Sequence, residues 1–82
     1  MISDHTRILT FIDQRVIAEI IDKYNISERD AINRYYTSET FEMLFDKATG
    51  LYQCSPLIIF DMWEVEQITG NPRNSSYIRM EI

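Results

Sequence analysis

The chain is short of the residues that cross-links and turns require. Its 82 residues include one cysteine, Cys54, one histidine, His5, two glycines and two prolines. A lone cysteine excludes an intramolecular disulfide, and no Cys/His cluster exists to hold a structural zinc, so packing must hold the chain, aided where needed by self-association. So few Gly and Pro argue against a sandwich or barrel, whose many short strands need many turn residues. No apolar run approaches the roughly 18–20 residues of a membrane span. The N-terminus Met1-Ile2-Ser3-Asp4-His5-Thr6-Arg7 lacks the basic-then-apolar layout of a secretion signal. A soluble protein of the reducing cytoplasm is the expectation. Basic charge is also scarce: 8 Lys and Arg against 13 Asp and Glu give a net charge of −5, which disfavours a non-specific grip on phosphates or anionic lipid.

What is present is apolar and periodic. Hydrophobic residues make up 45% of the chain, and five Tyr, four Phe and one Trp are among them, more than a disordered segment carries. One all-α domain over residues 1–82 is expected, a small bundle of about four helices. From about Thr6 to Tyr24, apolar residues recur at Ile8, Ile12, Val16, Ile20 and Tyr24, a helical spacing. Charges of alternating sign, including Asp13, Glu19 and Lys23, read as its solvated face, with Glu19–Lys23 an i,i+4 pair. Ser3 or Asp4 can cap its start, and Asn25 suits a left-handed turn at its end. Ser27 followed by Asp30 is a variant capping box opening a second helix with Ala31, Ile32, Tyr35 and Tyr36. Thr37-Ser38 breaks it, and Phe41, Leu44 and Phe45 mark a third helix to about Asp46. Gly50 supplies a turn, Leu51–Cys54 reads as extended or irregular, and Ser55-Pro56 opens a fourth helix running to Gly70. That helix is apolar over more than one face, so it must meet more than one neighbour. The turn-like stretch 71–76 is compatible with a flexible tail from about residue 71, and Ile78, Met80 and Ile82 alternate with Tyr77, Arg79 and Glu81 as in a short strand.

Catalytic equipment is thin. One Cys and one His, the latter near the chain start, do not make a nucleophile and base, although Cys54 sits just before a helix start that could lower a thiol pKa. A half-buried structural cysteine is the plainer reading, and no enzyme is expected. Glu39, Glu42 and Asp46 on the third helix could face Asp61 and Glu64 on the fourth as a divalent-ion site, but such rows are ordinarily solvated polar faces; neither metal nor cofactor is expected. Asn25-Ile26-Ser27 and Asn74-Ser75-Ser76 match the glycosylation pattern only by coincidence without a secretion signal. The helix–break–helix from Ser27 to Asp46 offers an alternative reading, a small helix-turn-helix-like DNA-binding regulator, which Arg29, Arg34 and Lys47 gathered on one face would favour. Against it, residues 39–66 hold six acids and one base, Lys47, and would repel phosphates.

The surplus of rings beside those acids points to protein binding. Most aromatics must fill the core, since each buried large side chain stabilises by about 1.5–3 kcal/mol. Any left exposed among carboxylates would form a surface suited to a basic groove. Glu39, Glu42, Tyr52, Asp61, Trp63 and Glu64 are the candidate partner-binding residues, and a homo-oligomer is compatible with the same apolar surplus. The stretch Tyr24-Asn25-Ile26-Ser27-Glu28, then Ala31, Tyr35-Tyr36 with Ser38, Phe41-Glu42-Met43-Leu44, Thr49-Gly50-Leu51, Ser55-Pro56 and Thr69-Gly70-Asn71-Pro72-Arg73-Asn74-Ser75 resembles small uncharacterised bacterial proteins. These belong to gene cassettes that also encode an ADP-ribosyltransferase-like protein. The resemblance implies a toxin–antitoxin type of role, occluding a toxin-like partner, and carries over no catalytic residue.

Overall fold

The computed structural model describes residues 4–79. Its helices begin and end where local chemistry satisfies the backbone. Helix α1 (Asp4–Tyr24) closes on Asn25 at φ 53°, whose N–H donates to the Ile21 carbonyl at 2.8 Å, as an αL cap should. Ser27 opens α2 (Glu28–Tyr36) by accepting the Asp30 N–H. Ser38 does two jobs: its hydroxyl donates to the Tyr35 carbonyl at 2.6 Å and accepts the Phe41 N–H at 3.1 Å, ending α2 and opening α3 (Glu39–Phe45). Two single 3₁₀ turns follow, Lys47–Thr49 and Leu51–Gln53, hinged on Gly50 at φ 73°. The second lies where an extended or irregular stretch is expected. Helix α4 (Pro56–Thr69) has Pro56 in its first turn and ends on Gly70 at φ 86°. Ser55 opens it with its carbonyl, which accepts the Ile58 and Ile59 N–H groups, not with its side chain.

The C-terminal expectations change. No strand is present among the described residues. Tyr77, Ile78 and Arg79 lie in a one-turn helix, α5 (Ser76–Arg79), after a third 3₁₀ turn at Pro72–Asn74; the strand positions Met80, Glu81 and Ile82 lie outside the described residues. The segment from residue 71 is docked on α4: Pro72 and Ser75 are buried, and the Ser75 hydroxyl donates to Asp61 at 2.6 Å.

Four helices share one core. It comprises Leu9, Ile12, Val16 and Ile20 of α1, Ala31 and Tyr35 of α2, Leu44 of α3, and Ile59, Phe60, Met62 and Trp63 of α4. The α1 stripe is buried in its middle but frays at its ends, where Ile8 and Tyr24 are exposed. Helix α4 packs against α1, α3 and the 72–74 turn, which accounts for apolar residues on more than one of its faces.

Asp13 departs from the solvated face assigned to it. It is buried, accepts the Tyr35 hydroxyl at 2.7 Å and lies 3.5 Å from the Tyr36 hydroxyl, and has no cation in salt-bridge range among the described residues. Burial raises its pKa, and the two tyrosine hydrogen bonds only partly oppose this. An acid with a raised native pKa binds more protons folded than unfolded, so it weakens the fold as pH climbs from the ordinary carboxylate range through the raised value. Asp13→Asn, which keeps an acceptor for Tyr35 without the charge, should remove that fall in urea-melt stability. Tyr35→Phe should cost about 1.5–3 kcal/mol at neutral pH by leaving the carboxylate short of its donor. A wild-type pH profile unchanged in Asp13→Asn would contradict the assignment.

Candidate functional site

The six candidate residues do not share one surface. Trp63 is 3% exposed and belongs to the core; it stacks with Phe60 at 6.4 Å between ring centroids, so it cannot be the exposed anchor expected. Tyr52 is half-buried, with its ring meeting His5 edge-on at 4.8 Å. Asp61 holds Ser75. Glu64 is mostly shielded and joins α4 to α1: it pairs with Lys23 at 2.6 Å and accepts the Tyr24 hydroxyl at 2.5 Å. Lys23 thus turns to Glu64, not to Glu19 as the i,i+4 spacing suggested. Partial burial pushes the Glu64 carboxyl up, but the hydrogen bonds from Lys23 and Tyr24, with the Lys23 charge, outweigh it and leave the pKa below its ordinary range. Glu39 is ion-paired with Arg73. Glu42 alone is both exposed and without an ion-pair partner among the described residues.

The surface that does stand out is on α3. A row of rings climbs from the core to solvent: buried Tyr35 to Tyr36 at 5.3 Å, Tyr36 to Phe41 at 4.7 Å, and Phe41 to Phe45 at 6.0 Å. Tyr36 is 43% and Phe45 63% exposed. Phe41 and Phe45 are one turn apart on α3, and Glu42 and Asp46 lie on the adjacent row, each a residue further round the helix. Asp46 is exposed and also caps the Ala48 N–H. The i, i+3, i+4 spacing of Phe41, Leu44 and Phe45 spans more of the helix than its neighbours cover, so Leu44 is buried and Phe45 is left outside. That narrowness of contact was the only signal in the sequence, and it does not say which of the three emerges.

Helix α3 is aimed by a residue that sequence reasoning counted only as charge. Glu66 of α4 spans the start of α3, accepting the N–H groups of Glu39 at 2.8 Å and Thr40 at 2.9 Å and the Thr40 hydroxyl at 2.7 Å. A carboxylate there satisfies donors that lack intrahelical partners and lies at the positive end of the helix dipole. Thr40 is fully buried.

Other arrangements do not assemble. Among the described residues no group of three or more His, Cys, Asp or Glu could hold a metal ion, so the two carboxylate rows do not converge. Arg29 and Arg34 fall about 140° apart around α2 at 3.6 residues per turn and do not form one basic face. Cys54 is half-buried against the core. No helix among the described residues is long and apolar enough to cross a membrane. Comparison with protein-family models, curated proteins and solved structures finds no match.

Glu66→Ala should destabilise the fold by about 1–3 kcal/mol in urea denaturation, through buried donors left unpaired. It should also speed amide exchange in 39–45 before the rest of the chain. Glu66→Gln keeps an acceptor oxygen and should lose less. Equal exchange in α3 with and without the Glu66 carboxylate would refute the capping role.

Proposed function

We propose that the chain is a non-enzymatic protein-binding module that docks through the outer face of α3, with Phe45, Phe41 and Tyr36 as the apolar centre and Glu42 and Asp46 as an acidic rim. The observation that carries this reading is Phe45, a phenylalanine held largely in solvent at the end of a ring row rooted in the core. Aromatic anchors on a rigid base, surrounded by polar groups, are what protein interfaces favour. The rim and the net charge of −5 select a partner groove that is apolar and basic. Glu39 contributes little to the rim, being neutralised by Arg73, and Lys47 is the one cation in residues 39–66.

The resemblance to proteins of toxin–antitoxin cassettes supports an ADP-ribosyltransferase-like protein as the partner, with occlusion of its working surface as the mechanism. A DNA-reading role draws no support from the arginines of α2, which face apart, or from an α3 whose first turn carries Glu39 and Glu42 and is closed by a third carboxylate. The action belongs in a reducing cytoplasm, in keeping with a single half-buried cysteine.

The test is affinity for the cassette partner, measured by calorimetry. Phe45→Ala and the pair Glu42→Arg/Asp46→Arg should each weaken binding by at least about tenfold, the scale of losing one anchor or inverting the rim. Lys47→Glu should strengthen it, and added salt should weaken it. Phe11→Ala, on a different exposed ring, should leave it unchanged. Wild-type affinity in the Phe45 and rim variants would overturn the proposal.

A further inference from the structure

A second concave surface lies away from the α3 face. The turn after α1, the C-terminal half of α2 and the C-terminal half of α4 enclose a groove of about 310 Å³ lined by Tyr24, Ile26, Arg34, Trp63, Gln67 and Ile68. That volume is at the small end of ligand sites. Its floor is apolar and held in place. Trp63 is anchored in the core, its indole N–H is directed at the Arg34 carbonyl at 3.4 Å, and Tyr24 meets it edge to face at 5.9 Å. Tyr24 is held in turn by its hydroxyl on Glu64. Ile68 is 82% exposed, more than any other large apolar residue described.

Two polar groups converge on this apolar surface. The side chains of Arg34 and Gln67 make no hydrogen bond or ion pair to any described residue. The nearby opposite charges, Lys23 and Glu64, neutralise each other. The groove therefore presents one guanidinium outside any ion pair and one amide beside Tyr24 and Ile68, with Trp63 at the floor and Asp30 one turn away from Arg34 on α2. We propose that it binds a small apolar monocarboxylate, the carboxylate on Arg34 and Gln67 and the hydrocarbon body against Tyr24 and Ile68, above the small part of Trp63 that reaches the groove floor. A single cation suits a monoanion better than a phosphate dianion, and a planar guanidinium can meet a carboxylate through two N–H groups. The volume admits one ring and a short side chain, so affinity should be about millimolar.

Phenylacetate is the probe, and the chain's one tryptophan is the reporter, because it gives a single indole N–H resonance. Titration should shift that resonance and the amides of Gln67 and Ile68 saturably. Phenylacetamide, which has the same shape without the charge, should bind about fivefold more weakly, the scale of one half-exposed charge-assisted hydrogen bond. Arg34→Gln should equalise the two probes, and Arg34→Lys should restore part of the preference. Arg34 is on the surface, and an otherwise unaltered spectrum verifies that each variant is folded. Phe45→Ala should leave the titration unchanged, which separates this site from the α3 face. Equal binding of acid and amide by the wild type, an undiminished preference in Arg34→Gln, or shifts centred on Phe11 and Leu57 instead would each overturn the proposal.

Discussion

One carboxylate sets the direction of α3. Seven residues are too few to hold a helix in water by propensity, and α3 buries fully only Thr40 and Leu44. What places it is Glu66, which reaches from α4 to two backbone amides and a hydroxyl at its start, while Ser38 ties the same end to α2. With its origin pinned on two sides and Leu44 in the core, the helix has one remaining direction in which to display Phe45. A rigid mount matters for an interface because a side chain already held in its bound pose loses less entropy on docking.

The same economy governs the other acids. The excess of carboxylate in residues 39–66 reads in the sequence as a charged field, yet several of those groups work inside the molecule. Glu66 caps α3, Asp61 anchors the C-terminal turn through Ser75, and Glu64 joins α4 to Lys23 and Tyr24. Asp13, outside that segment, is buried against two tyrosine hydroxyls. Buried acids stay acceptable where donors surround them. The consequence is that the acidity of the α3 face is local, resting on Glu42 and Asp46.

Local signals were legible in the sequence and long-range ones were not. Ser27, Ser38, Pro56, Asn25 and the two glycines act within a few residues of themselves, so helix boundaries and the all-α class follow from them and from the apolar spacing. At residues 77–79 one helical turn stands where a strand is expected, because alternation over so few residues is too short to distinguish the two. Pairings such as Glu66 with Glu39 and Thr40, or Asp13 with Tyr35, join residues more than twenty apart, and no periodicity encodes them. The same limit explains the candidate site. Trp63 and Phe45 are both aromatic residues on apolar helices beside acids; which one is sealed in depends on which face of its helix the neighbours cover. Trp63 lies on the face of α4 that enters the shared core, whereas Phe45 projects away from it and is largely exposed, although α2, α4 and both 3₁₀ turns adjoin α3.

Chemical-shift mapping of the chain bound to its protein partner tests docking through α3 most directly. Perturbations should concentrate on Tyr36, Phe41, Glu42, Phe45 and Asp46, with the Glu39 and Thr40 amides still protected from exchange by Glu66. A footprint on the exposed residues of α1 and α4, with the amides of 41–46 unmoved, would contradict it.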